Sequence, residues 1–293
     1  MNLMTFIRKN QYFLILATIG VIFFLLYSIL PFAQLDWHFN HPSINFDFKF
    51  NTPDESLNYY FSSQFARTNQ LQYFEPLNNF MHRVIFPRWA LVIDGRVTPG
   101  NFVGIDLIYG TLAKIFSVWS IPFLTPLFAV VGVLFFYLFI KEFFKEKVAF
   151  ISALLMFVFP GWWYYASRTL FHNILFLSLL IIGLYFLIRL INSSRKKLLY
   201  SILFGLFLGL SLIVRTSEIV WVTLVILIIC IFNLKKIFNF SACRRKINSP
   251  VPTKSGHLPL KRGGQPKTWS YLLISLIVFS ACFVPIFYHH QIL

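Results

Sequence analysis

Hydrophobic residues in this 293-residue chain are gathered in long runs that are almost free of charge. A helix needs roughly 17–25 apolar residues to cross a bilayer, where no water is available to satisfy its backbone groups. The runs that meet or approach this length are 12–33, 121–140, 148–167, 169–188, 198–214, 219–234 and 269–288, of which the fifth and sixth are short. The pattern predicts an all-α integral membrane protein with about seven transmembrane helices.

A further apolar stretch, residues 102–118, is interrupted by Asp106 and Lys114. Cytoplasmic loops carry an excess of Lys and Arg. Seven spans with a cytoplasmic N-terminus put most Lys and Arg residues inside, whereas an eighth span at 102–118 would put most of them outside. We therefore expect this segment to lie along the outer interface or to re-enter. The residues expected to face lipid are Phe102, Ile105, Ile108 and Leu112.

The same topology divides the rest of the chain. Residues 34–119 form a large first extracytoplasmic loop that contains amphipathic interfacial helices. Residues 241–268 are rich in Pro, Gly, Ser, Lys and Arg, which indicates a basic, disordered cytoplasmic linker whose natural contact is anionic lipid. Residues 269–293 carry the final transmembrane helix. The N-terminal run lacks a cleavage pattern and is interpreted as an uncleaved anchor.

Composition narrows the classes of function. The chain is 57% hydrophobic and only 12% charged, and its net charge of +16 sits in short clusters between apolar runs, which favours a topology signal over nucleic-acid binding. The three cysteines form no paired metal motif, and nucleotide, zinc-protease and hydrolase motifs are absent. We predict no metal site and no certain cofactor, although a divalent cation is left open.

The most informative polar segment is NTPDESLNYYFSSQFARTNQL, residues 51–71. Thr52, Pro53 and Glu55 have the spacing of a capping box with proline at the first helical position. The residues that follow have the apolar spacing of an amphipathic helix able to lie on the membrane surface. A purely structural role for this helix start is at least as well supported by spacing as a functional one. The functional hypothesis is that Asp54 acts as a general base while Glu55 holds the helix end.

Two short outer turns add polar candidates on the side of Asp54. Arg168 and His172 are four residues apart and Arg215 and Glu218 are three apart, so helical spacing would put each pair on one face. The arginines are suited to a phosphate and His172 to a hydroxyl, while contacts at the headgroup level are the structural alternative. Weaker candidates are His82, Arg83 and Arg88, each interpreted as structural. The aromatic cluster Trp162, Trp163, Tyr164 and Tyr165 is typical of an interfacial belt.

The layout resembles the GT-C membrane glycosyltransferases, which include protein O-mannosyltransferases and aminoarabinose transferases. The resemblance lies in an N-terminal span, an outer loop that opens with Asp54 and Glu55 before an amphipathic helix, and closely spaced later spans. It extends to GNFVGIDLIYGTLAKIF and to GLFLGLSLIVRTSEIVW, residues 205–221, and makes residues 1–240 the GT-C-like module. The segment ASRTLFHN differs from the family, in which many members carry an acidic residue at that place.

The resemblance implies an inverting transfer from a polyprenyl-phosphate-linked sugar to an unknown protein, lipid or glycan acceptor outside the plasma membrane, with no nucleic-acid partner. It places the catalytic carboxylate on Asp54, and we assign substrate binding to Glu55, Arg168, His172 and Arg215. Two other classes stay open. A transporter or flippase would carry broken or charged helices near the bilayer midplane, and a non-catalytic assembly partner would need no catalytic carboxylate.

Overall fold

A computed structural model describes residues 10–33, 50, 52–81, 90–100, 102–193, 196–231 and 268–285. Within these ranges the protein is predominantly helical, with one small sheet, in agreement with the predicted all-α membrane class. The elements in chain order are α1 Gln11–Ala33, α2 Pro53–Thr68, β1 Tyr73–Phe74, α3 Pro76–Phe80, β2 Ala90–Ile93, β3 Arg96–Pro99, α4 Gly104–Phe116, α5 Ile121–Lys141, α6 Glu146–Val158, α7 Pro160–Ser167, α8 His172–Asn192, α9 Lys197–Val214, α10 Thr216–Ile231 and α11 Thr268–Cys282.

The helices fall where the apolar runs predict them. Among the described residues, α1, α5, α8 and α9 are each long and apolar enough to cross a membrane, and α6 with α7 makes a fifth span if the two are taken together. The helices α10 and α11 are apolar but shorter than a span over the part that is described. The count of seven spans therefore stays a prediction. The basic linker 241–268 lies outside the described residues, except for its last residue, where α11 begins.

The central helix of the bundle is α5, which packs against α1 and α6 on one side and against α8 on the other. Its close approach to α8 depends on Gly132, because a Cβ at this position would overlap with the side chain of Ser178. Side chains from α1, α5, α6 and α7 form one buried cluster, and side chains from α4, α5, α8 and α9 form a second. The apolar interior is thus shared by helices that are distant in sequence.

Between α6 and α7 the chain bends by 55°. Pro160 provides the cause, since proline has no N–H to continue the ladder and its ring disfavours a helical residue before it. Phe159 accordingly has an extended backbone, with φ −60° and ψ 124°. The predicted third span is therefore a broken helix and not a straight one.

Outside the bundle, α2 packs along α4, and a third cluster of buried side chains joins both helices to the sheet. Leu57, Phe61 and Phe65 of α2 are buried in this cluster, so they face protein instead of a membrane surface. Gly110 of α4 permits the close contact, because a Cβ there would overlap with the backbone of Ser62. The predicted surface helix is real, but its apolar face is covered by α4.

The segment 102–118 contains the helix α4, whose 13 residues are fewer than a span needs, so its place along the outer interface stays a prediction. The prediction that its apolar side faces lipid is wrong for Ile105, which is fully buried in the cluster shared with α5, α8 and α9. Ile108 and Leu112 are half-buried and pack against the same cluster, and Phe102 is half-buried and contacts the His172 ring. Packing against the bundle therefore replaces the expected contact with lipid at Ile105, and contact with lipid stays a prediction for the other three residues.

The sheet was not expected from the sequence. Its strand order is β1, β3, β2, with β3 antiparallel to both neighbours. Asp94 and Gly95 connect β2 to β3 with φ of 50° and 75°, the left-handed conformation that a two-residue hairpin needs. The dipeptide Asp-Gly between ALVI and RVTP was the available signal for this hairpin.

Candidate active site

The start of α2 places two carboxylates at the edge of the bundle. Thr52 caps the helix and Pro53 occupies its first turn, and both halves of the capping box predicted for Thr52 and Glu55 are present. The Thr52 N–H donates to a Glu55 carboxylate oxygen over 2.9 Å, and the Glu55 N–H donates to Thr52 Oγ1 over 3.4 Å. Asp54 is half-buried beside this cap. The cap fixes the backbone from which Asp54 projects.

Glu55 also makes a two-point ion pair with Arg168 at the end of α7. Arg168 Nε and Nη2 each lie 3.3 Å from one carboxylate oxygen of Glu55. The Glu55 side chain is 4% exposed and the Arg168 side chain 20% exposed, so the pair is largely removed from water. Charges in such a position need each other, because neither is well solvated alone. The pair therefore ties the Asp54-bearing helix end to the bundle.

The prediction that Arg168 and His172 share one helix face is wrong. Arg168 ends α7 and His172 begins α8, and Thr169 and Leu170 between them have φ of 28° and 57°. The helical spacing of four residues therefore does not apply to this pair. A turn with left-handed residues was not visible in the segment ASRTLFHN, which has no glycine at those positions.

His172 nevertheless lies among the predicted site residues. Its Nε2 is 3.2 Å from the carbonyl oxygen of Phe102, and its ring packs edge-on against the Phe102 ring with 5.8 Å between centroids. The charges of Asp54 and Arg215 both act on the imidazole, which places the two groups on the same side of the bundle as the histidine. His172 is thus near enough to the carboxylate of α2 and to the arginine that follows α9 for both charges to act on its ring.

Arg215 follows the last residue of α9 and contacts three side chains. It donates to the amide oxygen of Asn173, pairs with Glu218 over 2.8 Å and lies 6.0 Å above the ring of Phe176. The pairing of Arg215 with Glu218 agrees with the predicted contact between them, and Trp221 donates a further hydrogen bond to Glu218. Asn173 and Trp221 were not among the predicted site residues.

A pocket of about 360 Å³ opens beside Arg215. It lies between the α6–α7 bend, the first turns of α8 and the start of α10. Its polar lining consists of Arg215, Asn173 and Glu218, and the rest is aromatic or aliphatic. Trp162 and Tyr165 line it from α7. Trp162 is only 4% exposed, so this member of the aromatic cluster belongs to the interior and not to an interfacial belt.

His82, Arg83 and Arg88 lie outside the described residues. In the part of the chain that the structure describes, no three His, Cys, Asp or Glu side chains come together as a metal-binding group. Asp106, which the sequence marked only as an interruption of an apolar run, is 1% exposed and accepts a hydrogen bond from Ser62. Burial raises the pKa of Asp106 well above its usual range.

At the opposite end of the bundle a different set of charges meets. Arg189 at the end of α8 pairs with Glu142 over 3.0 Å, and Lys141 pairs with Glu146. The apolar lengths of α5 and α8 separate this end from the one that holds Arg168, His172 and Arg215. Polar side chains thus concentrate at the two ends of apolar helices, as expected of a protein that spans a membrane.

Comparison with known families identifies the central part of the chain. Residues 104–242 match the family model of dolichyl-phosphate-mannose-protein mannosyltransferases. This is a GT-C membrane glycosyltransferase family. The match begins at α4 and includes α5 to α10, and it confirms the resemblance to GT-C enzymes seen in the sequence. No curated protein and no solved structure matches the chain significantly.

Proposed function

We propose that this GT-C protein moves a sugar from a polyprenyl-phosphate donor to an acceptor on the extracytoplasmic side of the plasma membrane, with its N-terminus in the cytoplasm. The observation that carries the proposal is the clustering of site residues from four helices at one end of the bundle, beside a pocket. The residues concerned are Asp54, Glu55, Arg168, His172 and Arg215. A lipid-linked donor suits this place, because its tail stays among apolar helices while its phosphate and sugar reach the polar end.

In the proposed reaction, Asp54 is the general base. It takes the proton of an acceptor hydroxyl as the hydroxyl oxygen bonds to the anomeric carbon of the sugar, and the bond from that carbon to the phosphate oxygen breaks. Polyprenyl phosphate leaves with the electron pair. A single displacement inverts the anomeric carbon. The half-buried position of Asp54 at a helix start supports this role, since a base must reach its hydroxyl within about 2.6–3.2 Å.

The phosphate is assigned to Arg215. This arginine lines the pocket together with Asn173, and its buried Nε has no hydrogen-bond partner. A guanidinium is always charged and presents several donors in a plane, which suits the oxygens of a phosphate. His172, whose ring feels the charges of both Arg215 and Asp54, is assigned to orient a hydroxyl of the sugar or the acceptor.

Glu55 and Arg168 contribute differently in this scheme. Arg168 already makes two hydrogen bonds of 3.3 Å to Glu55, which neutralises its charge. Arg168 is therefore less suited than Arg215 to bind a phosphate. The pairing of Glu55 and Arg168 fixes the first turn of α2 against the end of α7. We therefore assign them to the wall of the substrate site that keeps Asp54 at a constant distance from the donor.

The lipid tail of the donor has a candidate groove. A cavity of about 290 Å³ lies between α9, α10 and α11, and its lining is almost entirely apolar. Ile219 and Val222 of α10 line this groove, whereas Glu218 and Trp221 line the pocket beside Arg215. The two cavities thus lie on neighbouring faces of one helix, which supports a donor that extends from the polar pocket into the apolar bundle.

A transporter or flippase is the second candidate, and the broken helix α6–α7 is the observation that favours it. Broken helices commonly line the substrate site of transporters, and Phe159 at this break lines the pocket that also contains Arg215. A flippase would move the donor across the bilayer without consuming it. The two functions therefore differ in one product, free polyprenyl phosphate.

The test uses the full chain in lipid nanodiscs with radiolabelled hexosyl polyprenyl phosphates and a mixture of hydroxylated peptides, lipids and oligosaccharides. We expect label in an acceptor and release of polyprenyl phosphate. Asp54→Asn keeps the side-chain volume and should lower the rate by about 10²–10⁴-fold. The matched control is Asp94→Asn, in the same outer loop, because Asn followed by Gly suits the same hairpin turn.

If Asp54→Asn transfers sugar at the wild-type rate, Asp54 is not the general base. Intact donor that appears in the opposite leaflet of proteoliposomes, with no release of polyprenyl phosphate, would instead favour the flippase.

A further inference from the structure

The turn that joins α7 to α8 is buried and has an unusual backbone. Thr169 and Leu170 are 1% and 0% exposed, and both have positive φ, at 28° and 57°. Residues other than glycine rarely adopt this backbone conformation, since their Cβ crowds the carbonyl oxygen. Such residues persist only where the surrounding structure holds them in place. The question is which groups hold this turn.

Both backbone polar groups of Leu170 are bound by side chains from other elements. Asn58 of α2 donates its amide N–H to the carbonyl oxygen of Leu170 over 2.8 Å. The N–H of Leu170 donates to Thr125 Oγ1 of α5 over 3.0 Å. Thr125 Oγ1 also lies 2.8 Å from the hydroxyl of Tyr109 in α4. Asn58 is 2% exposed, and Thr125 and Tyr109 are fully buried.

These bonds connect the turn to the two carboxylates of α2. Asn58 follows Asp54 by one helical turn, so the bond to Leu170 fixes α2 against the segment that carries Arg168 and His172. The Glu55–Arg168 pair joins the same two segments. Without the bonds to Asn58 and Thr125, a buried N–H and a buried carbonyl would lack partners, and other turn conformations would compete.

We propose that Asn58 and Thr125 are positioning residues that clamp the 168–171 turn, so that Arg168 and His172 are held at fixed distances from Asp54. The inference rests on the proposed glycosyl transfer and adds to it two residues that touch no reacting atom. The clamp acts through the turn. Its loss changes the geometry of the site before it changes the fold, because the turn is joined to the bundle by apolar packing of Leu170 as well.

The first test asks whether the clamp exists and needs no activity. Thr125→Val keeps the shape of the side chain but removes the acceptor for the Leu170 N–H, whereas Thr125→Ser keeps the hydroxyl. Hydrogen exchange resolved to the Leu170 amide, with the full chain in nanodiscs, should be about tenfold or more faster in Thr125→Val and near the wild-type rate in Thr125→Ser. Equal exchange in all three proteins would overturn the clamp.

The second test asks whether the clamp positions the site. Thr125→Val should lower kcat for transfer by about 10–100-fold, because displacements near 1 Å have effects of this size, while KM for the donor changes by less than about threefold. Thr125→Ser should restore most of kcat. Asn58→Ala should behave like Thr125→Val, and Ser63→Ala is its control, since Ser63 is a buried residue of α2 whose hydroxyl makes no hydrogen bond.

A triple variant separates positioning from a general loss of structure. In an Arg168→Ala, His172→Ala background, Thr125→Val should cause little further loss of kcat, because the side chains that the turn carries are already removed. If Thr125→Val lowers kcat by the same factor in that background as in the wild-type chain, the positioning role is overturned. If the wild-type chain transfers no sugar, the proposed function and the positioning role both fail, while the exchange measurement still decides whether the clamp exists.

Discussion

The Glu55–Arg168 pair allows a stability prediction that follows directly from its geometry. Arg168→Met removes the charge from one partner and leaves the Glu55 carboxylate, which is 4% exposed, without its cation. Breaking a buried pair in this way costs about 3–5 kcal/mol. Because the Arg168 side chain is 20% exposed and water can reach the site, the lower end of that range is expected, about 3 kcal/mol.

The partner substitution should cost less. Glu55→Gln keeps an oxygen that can accept from the Thr52 N–H, so the helix cap survives in part. In the double variant Glu55→Gln, Arg168→Met no buried charge is left uncompensated, and its loss should be smaller than that of Arg168→Met alone. The free energies of the single variants therefore should not add, and the expected coupling is about 1–3 kcal/mol.

The assay is reversible unfolding in mixed micelles by titration with a denaturing detergent, followed by tryptophan fluorescence. Arg189→Met is the matched control, since Arg189 pairs with Glu142 at the opposite end of the bundle and its side chain is 37% exposed. Exposed ion pairs contribute about 0–1 kcal/mol, so this variant should be little changed. Equal losses for Arg168→Met and Arg189→Met, or additive losses within the cycle, would refute the reasoning.

Two further predictions concern α4. The raised pKa of Asp106 means that the folded protein binds this proton more tightly than the unfolded chain, so the free energy of unfolding should fall as pH rises above about 4. Asp106→Asn should remove that fall, which unfolding curves at several pH values can check, and an unchanged pH dependence would contradict it. Gly104→Ala should cost about 1–3 kcal/mol, because the new Cβ overlaps with the backbone of Ile213. Gly161→Ala is the control in the same unfolding assay, because its Cβ would meet only the Phe159 ring, at 3.1 Å. Equal losses of unfolding free energy in the two variants would argue against the α4–α9 contact.

The positions of the helices could be predicted because they depend on local properties of the sequence. An apolar run long enough to span a bilayer has few alternatives to a helix, and the capping box at Thr52 and Glu55 needs only neighbouring residues. The GT-C resemblance was likewise available from the order of the segments. The number of spans does not follow from the sequence in the same way, since α10 and α11 are shorter than a span over their described lengths.

The candidate site was predicted only in part because its geometry depends on contacts between distant segments. Helical spacing suggested a common face for Arg168 and His172, but the bonds of Asn58 and Thr125 to Leu170 favour a left-handed turn between them. Periodicity could place Ile105 on an apolar face, but it could not distinguish lipid from the bundle as the neighbour of that face. Tertiary packing decided both.

The burial of α2 explains how a helix outside the bundle can hold the carboxylate proposed as the base, Asp54, in place. Its buried surface contains Leu57, Phe61 and Phe65, but also the polar side chains of Glu55 and Asn58. The apolar residues attach α2 to α4, while the two polar residues also bond to the 168–171 turn. Apolar packing alone would tolerate a rotation or a shift of α2, because such contacts have little directional preference. The hydrogen bonds and the ion pair depend on direction, so a rotation or shift of α2 would break them. They therefore set the position of Asp54 relative to His172, and a transfer between two bound substrates would depend on that position.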